Sequence, residues 1–201
     1  MTEIEMRKKR GRPAAFDYDT ALDQAMYAFW RYGYEGTSMS TLMEAMQMNK
    51  TSIYAAFGSK EALFEKVIAR YINGPAAFVI QSLNQPTAEA VVRSLLTTAV
   101  RNLTSPQAPN GCLVIQGALS CSPEGKTIQA LLAGIRREIE QRLYERFERA
   151  KAEHDLPAEA DAKVLAKLAL TLHQGISVQA STGASEAELT AMLAFALTLF
   201  K

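Results

Sequence analysis

The chain has 201 residues, 48% of them hydrophobic and 21% charged, which suits one sizeable core or a small domain joined to a larger one. A formal net charge of +1 says nothing strong about partners. Its distribution is uneven, because Arg7, Lys8, Lys9, Arg10 and Arg12 crowd into the first thirteen residues against Glu3 and Glu5, a local pattern suited to a polyanion.

No apolar core follows that basic run, so it does not read as a secretory leader, and no stretch reaches the roughly 18 apolar residues of a membrane span. Cys112 and Cys121 lack a CxxC spacing or a histidine pair, which argues against structural zinc and against a disulfide-stapled secreted scaffold. A cytoplasmic protein with no metal and no cofactor is expected.

Apolar residues recur at helical spacing almost throughout, and no alternating β-branched run competes, so the fold is expected to be all-α. Residues 1–16 form the basic arm. Tyr18 to Arg31 puts Leu22, Ala25, Met26 and Phe29 on one face of a first helix, with Tyr32 to Gly36 as a loop after it. Two short helices follow, about Ser38 to Met46 and Lys50 to Phe57, with Met39, Leu42, Met43, Met46, Ile53 and Phe57 expected in the core. Gly58 is placed to end the second, and Ser59 to cap a helix that carries Glu61 in its first turn and runs to Asn73, where Gly74-Pro75 stops it. Residues 17–63 thus read as one helical domain, with 59–73 as the connecting helix, and 74–201 as a larger one.

Loop signals at Ser105 to Gly111, Ser122 to Gly125, Asp155 to Pro157 and Thr182 to Ala184 divide the rest into longer helices. Ile128, Leu131, Leu132, Ile135, Ile139, Leu143 and Phe147 form a stripe, with Arg136, Arg137, Glu138 and Glu140 off it. Ser185 and Glu188 have capping-box spacing, and Leu189, Met192, Leu193, Ala196, Leu197 and Phe200 continue that helix. Phe78, Met192 and Phe195 read as core.

The chemistry concentrates between residues 33 and 64. Asn49 can cap a short helix whose first turn exposes Lys50, Thr51 and Ser52, donors suited to phosphates and base edges. Ile53 and Phe57, four apart, would pack inward behind them. The run from Met48 to Phe64, with Tyr54, Phe57, Gly58, Ser59, Lys60, Glu61, Leu63 and Phe64 in register, resembles the DNA-binding signature of the TetR family of repressors. Gln47 stands where that family usually has a glycine, so a slightly different turn is expected, and Ala55-Ala56 replace bulkier polar residues. The resemblance implies a three-helix helix-turn-helix domain followed by a larger helical domain for ligand binding and dimerisation. It also implies DNA-backbone contacts from Tyr54, from Lys60 and from the helix start at Thr37 and Ser38, beside Asn49, Lys50, Thr51 and Ser52 at the recognition helix. Ahead of it, Arg10-Gly11-Arg12-Pro13 resembles the core of an AT-hook, with Arg10 and Arg12 as minor-groove readers; the alternative is a solvated tail.

By the same resemblance the last two helices, about Ala160 to Ala180 and Ser185 to Phe200, pair with their mates in a homodimer on a palindromic operator. Val164, Leu165, Leu168, Leu172 and Ile176 supply the first with an apolar face, although packing within one subunit would also cover it. Asn110-Gly111-Cys112-Leu113 and His173-Gln174-Gly175 resemble stretches near the inducer pocket of relatives, so Cys112, Gln116, His173 and Gln174 are the candidate ligand residues. A thiol at a helix N-terminus is expected to have a lowered pKa and to react with electrophiles or oxidants, against the plainer reading of an inert buried cysteine. The leading expectation is a repressor, not an enzyme, released by a small-molecule or electrophile inducer. The alternatives are a cysteine-dependent enzyme with Cys112 as nucleophile and His173 as base, and a largely non-specific architectural DNA binder.

Overall fold

The computed structural model describes residues 17–200, so Arg10 and Arg12 of the basic arm lie outside the described residues. All regular elements among the described residues are helical. α1 (Tyr18–Gly36) starts at Asp17, whose carboxylate accepts the Asp19 N–H at 3.1 Å. It does not give way to a loop after Arg31 as the sequence suggests. The chain coils on to Gly36 with one break at Gly33, whose φ of 71° and ψ of 177° belong to a region open essentially only to glycine. The break turns Tyr34 into the core, where its ring meets Phe64 at 5.1 Å.

α2 (Met39–Met46) and α3 (Lys50–Phe57) meet at a tight turn, and α4 (Lys60–Asn73) begins after Gly58 and Ser59. Leu42, Met46, Ile53, Phe57 and Leu63 fill the space among these helices, with Phe29 edge-on to Phe64 at 4.9 Å. Met39 and Met43, expected in the core, are half-buried at its rim. Gln47 takes the left-handed conformation a glycine would take (φ 53°, ψ 39°), so the turn keeps its ordinary shape at the cost of backbone strain. The far end of α4 is bound to α1, because Arg70 pairs with both Asp19 and Asp23, and Tyr71 stands edge-on to Trp30 at 4.8 Å.

The larger part comprises α5 (Phe78–Ser82), α6 (Ala88–Leu103), α7 (Leu113–Gln116), α8 (Lys126–Ala152), α9 (Ala162–Ser181) and α10 (Glu186–Ala196). α6 is buried along Val91, Val92, Leu95, Leu96, Ala99 and Val100 and packs against α9 and α10. α9 turns Ala162, Ala166, Ala169 and Ala180 inward, small side chains that let its neighbours approach closely, with Ile176 buried among them. The Ser185–Glu188 capping box forms as expected, but the last turn tightens to a 3-10 helix over Leu197–Phe200.

Two of the residues read as core are not. Met192 is 38% exposed and Phe195 76% exposed. The continuous apolar series of α10 merges two stripes: Leu189, Leu193, Ala196 and Phe200 face inward, and Met192, Phe195 and Leu199 face outward. Val164 and Val178 on α9 are likewise exposed, while Leu165, Leu168 and Leu172 are half-buried. A Cβ on Gly175 would meet nothing within 4 Å.

Candidate functional site

One candidate surface is the α2–α3 end. The Asn49 side chain accepts the Ser52 N–H at 2.8 Å, and the Ser38 hydroxyl accepts the Thr41 N–H at 3.0 Å, so both short helices start at capped N-termini. Ser38, Asn49, Lys50, Thr51, Ser52 and Tyr54 are all exposed there, held from behind by buried Ile53 and Phe57. The Lys50 ammonium lies 5.8 Å from the centre of the Tyr54 ring, close enough for the two to order one another. Capped helix ends with cationic and hydroxyl donors at their first turns form a surface complementary to phosphates and base edges.

Two of the side chains at expected contact positions turn inward. Thr37 is fully buried, and its hydroxyl donates to the Gly33 carbonyl at 2.6 Å. Its side chain pins the α1–α2 corner, so a contact from this helix start falls to its backbone N–H groups. Lys60 is half-buried with its ammonium 4.4 Å above the Tyr34 ring, and burial lowers its pKa. Its side chain is folded back towards the core.

The second candidate is a partly open cavity of about 150 Å³ among α4, α5, α7, α8 and α9. Its walls include Ile72, Val79, Ile115, Ile135, Ile139 and Leu170. Cys112 and His173, far apart in sequence, both line it. Gln116 and Gln174 do not. Cys112 has an extended backbone (φ −117°, ψ 124°) ahead of a helix only four residues long, so the one-turn spacing from Cys112 to Gln116 does not place them on one face. Gln116 instead donates from Nε2 to the Ser181 hydroxyl at 2.5 Å, in a separate surface groove. Gln174 sits one residue round α9 from the cavity wall.

The cysteine is not activated. The one-turn helix beyond it is too short to offset its burial, which raises the thiol pKa despite a hydrogen bond from the Tyr71 hydroxyl and the nearby Arg136 charge. This overturns the expected lowering. The two nitrogens of His173 have no hydrogen-bond partner, so no Cys–His bond forms of the kind a cysteine nucleophile needs. Burial pushes the imidazole pKa down to about 4.

Tyr71 and Arg136 were missed in the sequence. Arg136 lines the cavity and donates to the Val114 carbonyl at 2.7 Å. Its charge sets it apart from the apolar stripe, yet it lies four residues after Leu132 and three before Ile139, a spacing that marks the same face. Tyr71 similarly follows Val67 by four and Ile68 by three.

α7 connects the cavity to the DNA-facing part. The Trp30 indole donates to the Gly111 carbonyl at 2.8 Å, and the Tyr34 N–H donates to the Gly117 carbonyl at 2.8 Å. The Glu35 carboxylate accepts both the N–H and the hydroxyl of Ser122, at 3.1 and 3.0 Å. The segment that supplies Cys112, Val114 and Ile115 to the cavity is therefore bonded on both sides to the end of α1.

No helix among the described residues is long and apolar enough to cross a membrane. Residues 21–67 match the model of bacterial regulatory proteins, tetR family, and residues 88–195 that of the tetracyclin repressor-like C-terminal domain. The chain is 33% identical over 197 residues to the HTH-type transcriptional repressor ComR of Escherichia coli K12, covering 97% of this chain and 94% of that one. It is similar in structure to a cysteine mutant of the TetR family transcriptional regulator CifR complexed with 26 bp double-strand operator DNA, with 40% identity, a TM-score of 0.90 and coverage of 94% and 100%. A TetR regulator from Rhodococcus sp. RHA1 is 39% identical with a TM-score of 0.62, over 92% of this chain and 98% of that one.

Proposed function

Since this chain belongs to the tetR family of bacterial regulatory proteins and is a sequence-specific DNA-binding repressor, we propose that it acts as a homodimer whose grip on its operator is released by a small molecule in the α4–α9 cavity. The observation that carries this reading is the segment from Gly111 to Gly117 around α7, which is at once a wall of the cavity and hydrogen-bonded to α1.

The two recognition helices, α3 of each protomer, must span successive major grooves, roughly 34–36 Å apart or a multiple of it. Lys50, Thr51, Ser52 and Tyr54 face the groove, and Ser38 and Asn49 contribute at the capped helix starts. Arg10 and Arg12 reach into the adjacent minor groove of a palindromic site. The outward stripe of Val164, Val178, Met192, Phe195 and Leu199 on α9 and α10 is the surface that pairs with a second copy. Ligand in the cavity shifts α7 and α4 together and thereby changes the separation of the α3 helices. A raised thiol pKa at Cys112 supports non-covalent release over electrophile capture. Its DNA target sets the protein in the cytoplasm.

Fluorescence anisotropy against the DNA flanking the protein's own gene, with random DNA as competitor, tests this directly. Lys50→Ala is expected to weaken operator binding and to lower the slope of log affinity against log salt by about 1 per half-site. A compound that occupies the cavity by thermal shift, yet leaves operator affinity unchanged, overturns the release mechanism.

A further inference from the structure

We propose that the cavity selects a compact, uncharged, largely apolar molecule bearing a hydroxyl or similar paired donor and acceptor, and that His173 is the residue that selects it. This rests on the reading of the cavity as the regulatory ligand site.

His173 is 3% exposed on the inward face of α9, and neither Nδ1 nor Nε2 has a partner. More than about 90% of buried polar groups in folded proteins are paired, so an imidazole in a cavity wall with both nitrogens unmet, and covered by its neighbours, matches a polar group whose entry opens the wall around it. Its ring neighbour is Phe78, edge-on at 6.1 Å, which offers no acceptor in the ring plane. Burial keeps the imidazole neutral at pH 7, so it presents one donor and one acceptor and no charge. A molecule with an apolar body and one polar group satisfies both the walls and the imidazole.

Size and charge narrow the class. An apolar cavity of about 150 Å³ in another protein is filled by benzene, so a one-ring body fits within this one. The charged groups of the lining are already engaged. Glu138 and Arg142 pair at 2.6 Å, and the Arg136 guanidinium is half-buried and bonded to the Val114 carbonyl. An anion drawn to Arg136 would leave both His173 nitrogens unmet.

The test is calorimetric titration of the full chain, without DNA, with four one-ring probes: toluene, benzyl alcohol, benzoate and benzylammonium. Benzyl alcohol is expected to bind about fivefold more tightly than toluene, the worth of one net hydrogen bond, and both ions more weakly than toluene. His173→Leu should abolish the preference for the alcohol and spare toluene, and His173→Gln should keep most of it. In the wild-type chain, the His173 imidazole nitrogen resonances should shift with benzyl alcohol and stay in place with toluene, a readout that needs no variant to fold. Tightest binding by benzoate, equal binding of toluene and benzyl alcohol, or a preference that survives His173→Leu overturns the proposal. Operator release is scored separately. Probes that bind in the expected order without loosening DNA remove the release mechanism alone, and probes that release DNA in another order remove this proposal alone.

Discussion

His173 and Cys112 show how burial governs a side chain's chemistry. Each was singled out as a residue type that reacts or titrates, and in each desolvation dominates: the thiol is held protonated and the imidazole uncharged. For His173 this has a measurable sign. Its folded pKa of about 4 lies below the ordinary 6.5, so above pH 6.5 both folded and unfolded chains carry it neutral and it imposes no penalty. As pH falls from 6.5 to 4 the unfolded chain takes the proton first, and stability drops by about 1.4 kcal/mol per pH unit, about 3 kcal/mol in all. Chemical denaturation across that window should show this slope in the wild type, and His173→Gln should flatten it. An equal slope in both chains would mean that the imidazole is hydrated in the fold. Residue identity was legible at the positions where chemistry was expected, and less so where geometry decided the outcome. Thr37 precedes a helix start, which is legible, but the sequence does not show that its hydroxyl fits the α1–α2 corner and leaves only its backbone for outward contacts.

At the scale of the element, local signals were legible wherever a side chain closes its own backbone. Asn49, Ser59 and Ser185 cap the helices they were expected to cap, because capping depends on residues two or three apart. Breaks set by distant neighbours were not legible. Nothing within residues 32–36 says that the chain resumes helix after Gly33; that follows from Tyr34 docking on Phe64 and on the Gly117 carbonyl. The α2–α3 turn lies between these cases. Gln47 is strained in the left-handed region, and its side chain compensates in part by donating to the Glu44 carbonyl at 2.7 Å. Gln47→Gly is expected to raise stability by about 1 kcal/mol, or about 2–4 °C in Tm, without moving α3. A lower Tm would show that the Gln47 side-chain bond outweighs the backbone strain.

At the scale of the molecule, the all-helical layout was readable, and the division of apolar surface between interior and exterior was not. A sequence pattern reports that a position is apolar; which neighbour covers it depends on how the helices are arranged. Phe195 is the sharpest instance, an aromatic ring three-quarters exposed on a helix whose opposite stripe is buried. Phe195→Glu is expected to shift the protein from dimer to monomer in sedimentation, with far-UV dichroism unchanged and operator affinity lost, because two α3 helices are needed to hold both half-sites. A variant that stays dimeric would place the mating surface elsewhere.

The same scale gives meaning to the four-residue helix α7. A segment bonded to Trp30, Tyr34 and Glu35 on one side and lining the cavity on the other cannot answer to one site alone. If the cavity holds the inducer proposed above, thermodynamic linkage makes the traffic two-way: whatever factor the inducer takes from operator affinity, the operator takes from inducer affinity. Protein seated on its operator is therefore harder to saturate than protein free in solution. A cell holding a surplus of free dimer would fill those copies first, so the inducer concentration at which the gene opens rises with the number of repressor molecules, and the repressor's own expression level tunes its sensitivity.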